Sequence, residues 1–281
     1  MAERLGLIAG QGRLPILVAE GMRAAGHEVC CVGLREQFDP ALPSVCHEFR
    51  TAGIVQLGRW MRLLRRWEVH EAIMVGAVSK SRAHDPFRLL RQMPDWRAIR
   101  VWYGRLRHDR RTAAVLAAVS DELAKKGITL IDSTTFIPDH LATEGLMTTC
   151  APTAAQKADI TFGFDLLRTT VELDIGQSMA VRDRDVIAVE AMEGTDRMID
   201  RAAELCRTTG WTLLKTSKQD HDMRADVPTI GVGTIERVRR AGGRCIALGV
   251  GRVILLDRPA VIGAANAAGI AVVGVGADGT R

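Results

Sequence analysis

Residues 4–34 read RLGLIAGQGRLPILVAEGMRAAGHEVCCVGL, and this stretch decides the fold class. A short apolar run over 4–10 ends in glycine. Leu14, Leu17, Val18 and Met22 then recur near helical spacing across 14–25. Gly26 closes that helix, and HEVCCVGL (27–34) is a second strand. Strand, helix and strand in immediate succession predict a parallel sheet and an α/β fold.

The pattern continues downstream. Residues 54–67 predict a basic amphipathic helix, and EAIMVGAV (71–78) a third buried strand. Residues 109–126 predict a helix ending in Lys125-Lys126-Gly127, cations and glycine being favoured at a helix C-terminus. ITLID (128–132) is a fourth strand. Residues 133–157 are rich in Thr, Ser and Pro, lack clear periodicity and read as a linker. Two domains are expected, 1–133 and 134–281. The second changes character. Helices are expected over 154–172, 195–209, 234–242 and 258–268, and strands at WTLLKT (211–216) and IAVVGV (270–275). SMAVRDRDVIAVEAME (178–193) predicts an antiparallel hairpin around 182–185. RCIALGV and GRVILLD (244–257) read as a second hairpin-like pair across Gly249 and Gly251. Parallel and antiparallel signals together give this domain a mixed sheet.

Bulk composition narrows the classes. The apolar share is 47% and the aromatic share 4%, so the core is built from Ala, Val, Leu and Ile. Net charge is +5, which fits an anionic ligand, an anionic membrane surface or nucleic acid. Basic residues are densest between Arg82 and Arg111, among Trp96, Trp102 and Tyr103. That mixture suits an exposed helical face, single-stranded nucleic acid or lipid headgroups. Six cysteines lack any C-x-x-C pair, and Cys30-Cys31 lies in an apolar run, as expected in a reducing cytosol. The first apolar run is too short for a signal peptide, and no run approaches a membrane span. G-x-S-x-G, G-x-x-x-x-G-K-[ST] and D-x-[DN]-x-[DN]-G are absent, which removes the commonest serine-hydrolase, P-loop and EF-hand readings.

Four clusters carry chemistry. Gly10-Gln11-Gly12 turns from strand into helix, where backbone N–H groups can meet a phosphate. A structural turn explains it equally. Pro15 and Arg35 stand where a dinucleotide fingerprint needs glycine and an acid. Gly76-Ala77-Val78-Ser79-Lys80 follows the third strand, at the end where open α/β sheets bind ligands, or is an ordinary strand exit. Asp174-Ile175-Gly176-Gln177, Glu190 and Glu193-Gly194-Thr195-Asp196 precede a helix. Thr195 or Asp196 either caps that helix or serves a ligand. Finally, LLKTSKQDHDMRADVPTIG (213–231) sets Lys215 at a strand end, followed by Lys218, Asp222, Arg224, Asp226 and Thr229. Cations suit phosphate, and carboxylates suit a divalent metal or water. A charged surface loop is the alternative.

LGLIAGQGRLP, DIGQS, AVEAMEGTDRM and the 213–231 segment, in that order, resemble the LpxI-type UDP-2,3-diacylglucosamine pyrophosphatases of lipid A biosynthesis. EGTD and R-x-D-x-P-T-I-G at their mutual spacing are the specific parts. The resemblance implies a Rossmann-like N-terminal domain, a distinct α/β C-terminal domain and a cleft between them. It implies a cytosolic enzyme, peripheral to the inner membrane, that cleaves UDP-2,3-diacylglucosamine into UMP and 2,3-diacylglucosamine 1-phosphate, with attack on the sugar-side phosphorus. It also implies a divalent metal, commonly magnesium. No nucleic-acid partner is expected, and a homodimer is compatible.

By position, Asp226 matches the family aspartate needed for turnover. The expected catalytic set is Asp226, Lys215 and Asp196. Gly10, Gln11, Gly12, Gly76, Ala77, Val78, Gln177, Glu193, Gly194, Thr195, Lys218 and Thr229 are expected to bind substrate, and Asp226 and Asp222 to hold metal. The family loop Gly-Asn-Val-Ser-Arg-Pro reads Gly76-Ala77-Val78-Ser79-Lys80-Ser81 here, without the asparagine and proline. An apolar wall for the acyl chains is expected in the second domain. The competing class is a non-catalytic nucleotide- or RNA-binding protein using the basic 82–111 segment.

Overall fold

The computed structural model describes residues 2–78, 94–104, 106–107, 112–224 and 227–276, with backbone alone at 102, 112 and 113. The chain forms two compact units. The first runs to Pro138 and also takes residues 222–224. The second takes Asp139–His221 and the described residues from Val227 onward.

The first unit holds strands β1 (Arg4–Ala9), β2 (Glu28–Leu34), β3 (Glu48–Ala52), β4 (Glu71–Val75) and β5 (Thr129–Leu130). Their order is β3-β2-β1-β4-β5, and every pairing is parallel. This is the order of a doubly wound sheet, whose strands read as continuous apolar runs because both faces are covered. Helix α1 (Leu14–Ala24) buries Ile16, Leu17, Val18 and Met22. Helices α2 (Leu57–Arg66), α3 (Trp96–Gly104) and α4 (Thr112–Ala124) share a core in which Trp60, Met61, Leu64, Val101, Leu116 and Leu123 pack with Ile8, Cys30 and Val32. Cys30 and Cys31 are both buried, as their apolar run predicts. The expected parallel sheet is present with one strand more than the sequence indicates. β3 is half-buried along most of its length and shows no continuous apolar run.

Residues 222–224 are held within this unit. The Ser133 N–H and hydroxyl both donate to the Met223 carbonyl, at 2.9 and 2.7 Å. Arg224 donates to the Ser120 hydroxyl at 2.9 Å.

The second unit is built on a six-stranded sheet of order β6-β13-β11-β9-β7-β8. Its strands are β6 (Gly145–Leu146), β7 (Ser178–Arg182), β8 (Asp185–Val189), β9 (Thr212–Lys215), β11 (Cys245–Gly249) and β13 (Ala271–Val275). β9, β11 and β13 are parallel, whereas β6 and the β7–β8 hairpin join antiparallel at the two edges. The sheet is therefore mixed, as expected. Alternation splits the core. Cys245 and Ala247 face helix α5 (Ala154–Glu172) through Ile160, Phe164 and Leu167. Ile246 and Leu248 pack with helices α6 (Thr195–Leu205), α7 (Val232–Arg240) and α8 (Arg258–Ala268) through Met198, Ile235, Val261 and Ala265.

The hairpin expected over 244–257 does not form. β12 (Ile254–Leu255) leaves the main sheet and pairs in parallel with β10 (Thr229–Ile230). Segment 133–157, read as a linker, contributes β6 and the start of α5. Two-residue strands have no periodicity for a sequence to display.

Candidate functional site

In the first unit, β1 and β4 are neighbours while β2 lies on the other side of β1, so the chain reverses direction across the sheet at their carboxyl ends. Open α/β sheets bind ligands at this place. Here Gly10 N–H donates to Val75 O at 2.8 Å, Gln11 N–H to Ala77 O at 2.8 Å, and Ala77 N–H to Gln11 O at 3.0 Å. Two N–H groups of the glycine turn are thus spent on the neighbouring loop and not offered to a phosphate. The approach explains the glycines. A Cβ on Gly10 would lie 2.7 Å from Ala77 O, and Gly76, at φ 99°, would meet the Gly10 carbonyl carbon at 2.7 Å. Gly12 and Val78 are exposed at this rim. Ser79 and Lys80 lie outside the described residues, as do most of the 82–111 segment and its His84 and His108.

The second unit assembles a buried polar cluster. Lys215 closes β9 and is only 4% exposed. Its Nζ donates to Thr195 Oγ1 at 2.6 Å and to Ser178 Oγ at 3.2 Å. The Thr195 hydroxyl donates to Glu190 Oε1 at 3.1 Å. Register accounts for the meeting, because Ser178 lies directly opposite Lys215 across the β7–β9 pair. The backbone around the cluster is equally fixed. Thr216 N–H donates to Gln177 O at 3.0 Å, and Glu190 N–H to Ser178 O at 2.9 Å. Ser217, next along, is buried, and its hydroxyl has no hydrogen-bond partner among the described residues.

Thr195 is not a helix cap. Gly194, at φ 84°, occupies the cap position of α6, and the Thr195 hydroxyl turns to lysine and glutamate. Asp196 lies in the first turn, where a carboxylate suits the helix dipole. Its side chain is 66% exposed and sits 3.6 Å from Arg237. Glu193 accepts from Arg201 at 2.6 Å and from the Ala191 N–H at 3.1 Å. Its own backbone N–H first, then Arg201, hold its carboxyl below the usual range. Lys218 pairs with Asp174 at 2.7 Å. Thr229 is half-buried in β10 opposite Ile254. Of the expected residues, the structure therefore joins Lys215 and Thr195 directly and Gln177 through its backbone. Asp196, Glu193 and Lys218 are engaged by other partners. Ser178 enters the cluster unforeseen, and Glu190, grouped in the sequence with Glu193-Gly194-Thr195-Asp196, enters it without a role of its own having been expected. Glu190 carries one weak sequence signal, a lone carboxylate inside the apolar run AVEAM.

The metal expectation finds no ligand set in what is described. Among the described residues, no three His, Cys, Asp or Glu side chains converge. Asp222 accepts from Arg224 Nε at 2.8 Å and Nη2 at 2.6 Å, which commits both carboxylate oxygens to an anchoring guanidinium. Asp226 lies outside the described residues.

Three cavities lie away from the Lys215 cluster among the described residues. In the first unit, spaces of about 760 and 640 Å³ are walled by Arg4, Glu28, Arg65, His70, Trp96 and Lys126. The former opens among residues at the amino ends of β1, β2 and β4, at the opposite end of the strands from Gly10. In the second unit, a space of about 430 Å³ is lined by the charged Asp159, Arg182, Asp183 and Arg244 together with the small apolar Ala151, Ala155 and Ala271. Exposed apolar side chains occur on α5 and just beyond it, at Phe162, Leu166, Leu173 and Ile175.

Fold and site define a two-unit α/β protein with a doubly wound first sheet and a buried lysine–hydroxyl–carboxylate cluster in the second. The chain belongs to the LpxI family. The LpxI N-terminal domain matches residues 4–140, and the LpxI C-terminal domain residues 143–273. The UDP-2,3-diacylglucosamine pyrophosphatase LpxI of Caulobacter vibrioides is 35% identical over 281 residues, covering 97% of each protein. Two solved structures match weakly. Glycinamide-RNase-transformylase T from Mycobacterium tuberculosis is 13% identical over 68% of this chain and 44% of that one, at a TM-score of 0.24. N5-carboxyaminoimidazole synthetase from Staphylococcus aureus is 12% identical over 78% and 56%, also at 0.24.

Proposed function

We propose that this protein hydrolyses the diphosphate of UDP-2,3-diacylglucosamine. Water adds to the sugar-side phosphorus, the bond to the bridging oxygen breaks, and UMP leaves with 2,3-diacylglucosamine 1-phosphate as the other product. The observation that carries the reading is the family relationship, which runs through both units. Lys215 gives it a chemical centre. The transition state spreads negative charge over phosphoryl oxygens, so a positioned cation does most of the work. A lysine fixed by two hydroxyls in a dry environment is such a group. Asp226 is assigned to orient or deprotonate the attacking water, on its match to R-x-D-x-P alone.

Magnesium belongs to this proposal through the family resemblance. Since the described residues supply no ligand set, no step is routed through it. Peripheral attachment to the inner membrane and a homodimer belong to it in the same way. Among the described residues no helix is long and apolar enough to cross a membrane. Nothing among the described residues or in the relatives favours RNA binding, and most of the 82–111 segment lies outside the described residues.

Incubation with UDP-2,3-diacylglucosamine in oxygen-18 water tests the reading. Release of UMP, with the label in the sugar phosphate, is expected. Asp226→Asn abolishes nearly all turnover while substrate still binds. A chelator stops the reaction and added magnesium restores it. Label in UMP overturns the assigned phosphorus, and an active Asp226→Asn removes that residue from the mechanism.

A further inference from the structure

We propose that Glu190 is a positioning residue, which aims the Lys215 ammonium through the Thr195 hydroxyl. Its link to turnover rests on the hydrolytic reading above. A hydroxyl has one proton and two acceptor sites. An ammonium only donates and a carboxylate only accepts. The 2.6 Å and 3.1 Å bonds on either side of Thr195 Oγ1 therefore have one polarity, lysine to threonine to glutamate. With its proton committed to Glu190, Thr195 can only accept from Lys215. Without Glu190 that hydroxyl can rotate, and the flexible lysine stem loses one fixed acceptor at its tip while keeping the Ser178 hydroxyl at 3.2 Å.

Glu190 is 9% exposed, and its Oε2 has no hydrogen-bond partner among the described residues. Burying a carboxylate oxygen unpaired is costly. A side chain kept only for packing would be apolar. The cost is offset by the ammonium one hydroxyl away, since opposite charges attract strongly in a low dielectric. The carboxylate is also placed by rigid backbone. Glu190 N–H donates to Ser178 O at 2.9 Å at the end of the β7–β8 hairpin, and Ser178 faces Lys215 across the adjoining β7–β9 pair. A Cβ on Gly176 would lie 2.0 Å from Glu190 O, so the D-I-G-Q turn lies directly against this backbone. The geometry makes Glu190 a support for the residue that meets the diphosphate, not a group that meets it itself.

The test combines a double-mutant cycle with a readout that needs no substrate. Glu190→Ala removes one buried hydrogen bond and should lower kcat on the order of tenfold with KM little changed; Thr195→Val removes every bond of that hydroxyl and should lower kcat at least as much. The double variant should lose no more than Thr195→Val alone, because both break one chain. Glu190→Gln keeps an acceptor for Thr195 and should recover part of kcat. Proton–nitrogen spectra of the unliganded protein follow the Lys215 ammonium, identified by its disappearance in Lys215→Met. That signal should shift or broaden in Glu190→Ala. If Glu190→Ala does not fold, Glu190→Gln with Thr195→Val supplies the cycle and the spectra. Multiplying losses, or an ammonium signal indifferent to residue 190, overturns the proposal. If the wild type releases no UMP while the signal still responds, the hydrolytic reading fails and the positioning stands. If UMP is released and the signal stays put, the positioning fails alone.

Discussion

Gly176 lacks a side chain because Glu190 leaves no room for one. A methyl there would need the Glu190 carbonyl to move, since the built Cβ lies 2.0 Å from that oxygen. Gly176→Ala is expected to cost about 1–3 kcal/mol of stability, as overpacking does, and to lower turnover by shifting the Thr195 and Lys215 contacts. Gly194→Ala makes an instructive contrast. Nothing lies within 4 Å of its built Cβ, so the penalty is only that of an alanine at φ 84°. With ψ at 163° this is a region that is essentially glycine's alone, and the strain is about 1–3 kcal/mol. Thermal unfolding and UMP release measured on both variants separate the two causes. Equal losses of turnover would contradict the account. Sequence reasoning reached Lys215 because it follows the apolar run WTLL and must sit at a strand's end. It left Thr195 open between cap and ligand, because capping depends on which residue leaves the helix first. Only the backbone shows that Gly194 does so. It grouped Glu190 with the Glu193–Asp196 stretch but assigned it no part of its own, since one carboxylate near a strand end looks like any solvated tip.

Whole elements were more legible than their partners. The β7–β8 hairpin is visible as two short apolar runs around a polar turn at 182–185, whereas the pairing of 244–257 is not. Apolar strands flanking glycines look alike whether they fold back or diverge. Here Gly249 lies against the Thr216 side chain, with 2.1 Å between the built Cβ and that hydroxyl, and the chain leaves for β10. Helices α3 and α4 are joined by a buried carboxylate. Glu122 on α4 lies 2.5 Å from Lys125 and within 3.8 Å of Arg97 and Arg100 on α3. The Lys125 hydrogen bond first, then the surrounding cations, hold its carboxyl below the usual range despite burial. A depressed folded-state value stabilises the protein above the unfolded pKa, and that support is lost as pH falls through the folded one. Wild-type unfolding temperature should therefore fall steeply below about pH 4.5. Glu122→Gln should be less stable at neutral pH and flatter in acid. Parallel acid limbs for the two proteins would sink this reading.

Both units carry the family's sequence, and their sheets supply different things. The first offers a strand-end crevice closed by backbone bonds between its two loops. The second offers a cation locked among hydroxyls. The α/β class and the two-part organisation follow from local patterns, parallel then mixed. The site does not, because its members come from β7, the end of β8, the start of α6 and the end of β9, brought together by strand register. UMP release from UDP-2,3-diacylglucosamine, compared between the wild type and Lys215→Met, bears most directly on that arrangement. The substitution nearly conserves volume, so circular dichroism should show an intact fold. The wild type should release UMP, and the variant should be slower by on the order of 10²–10³, the loss of one preorganised electrostatic group. A folded Lys215→Met working at the wild-type rate, or a wild type that yields no UMP, would contradict it.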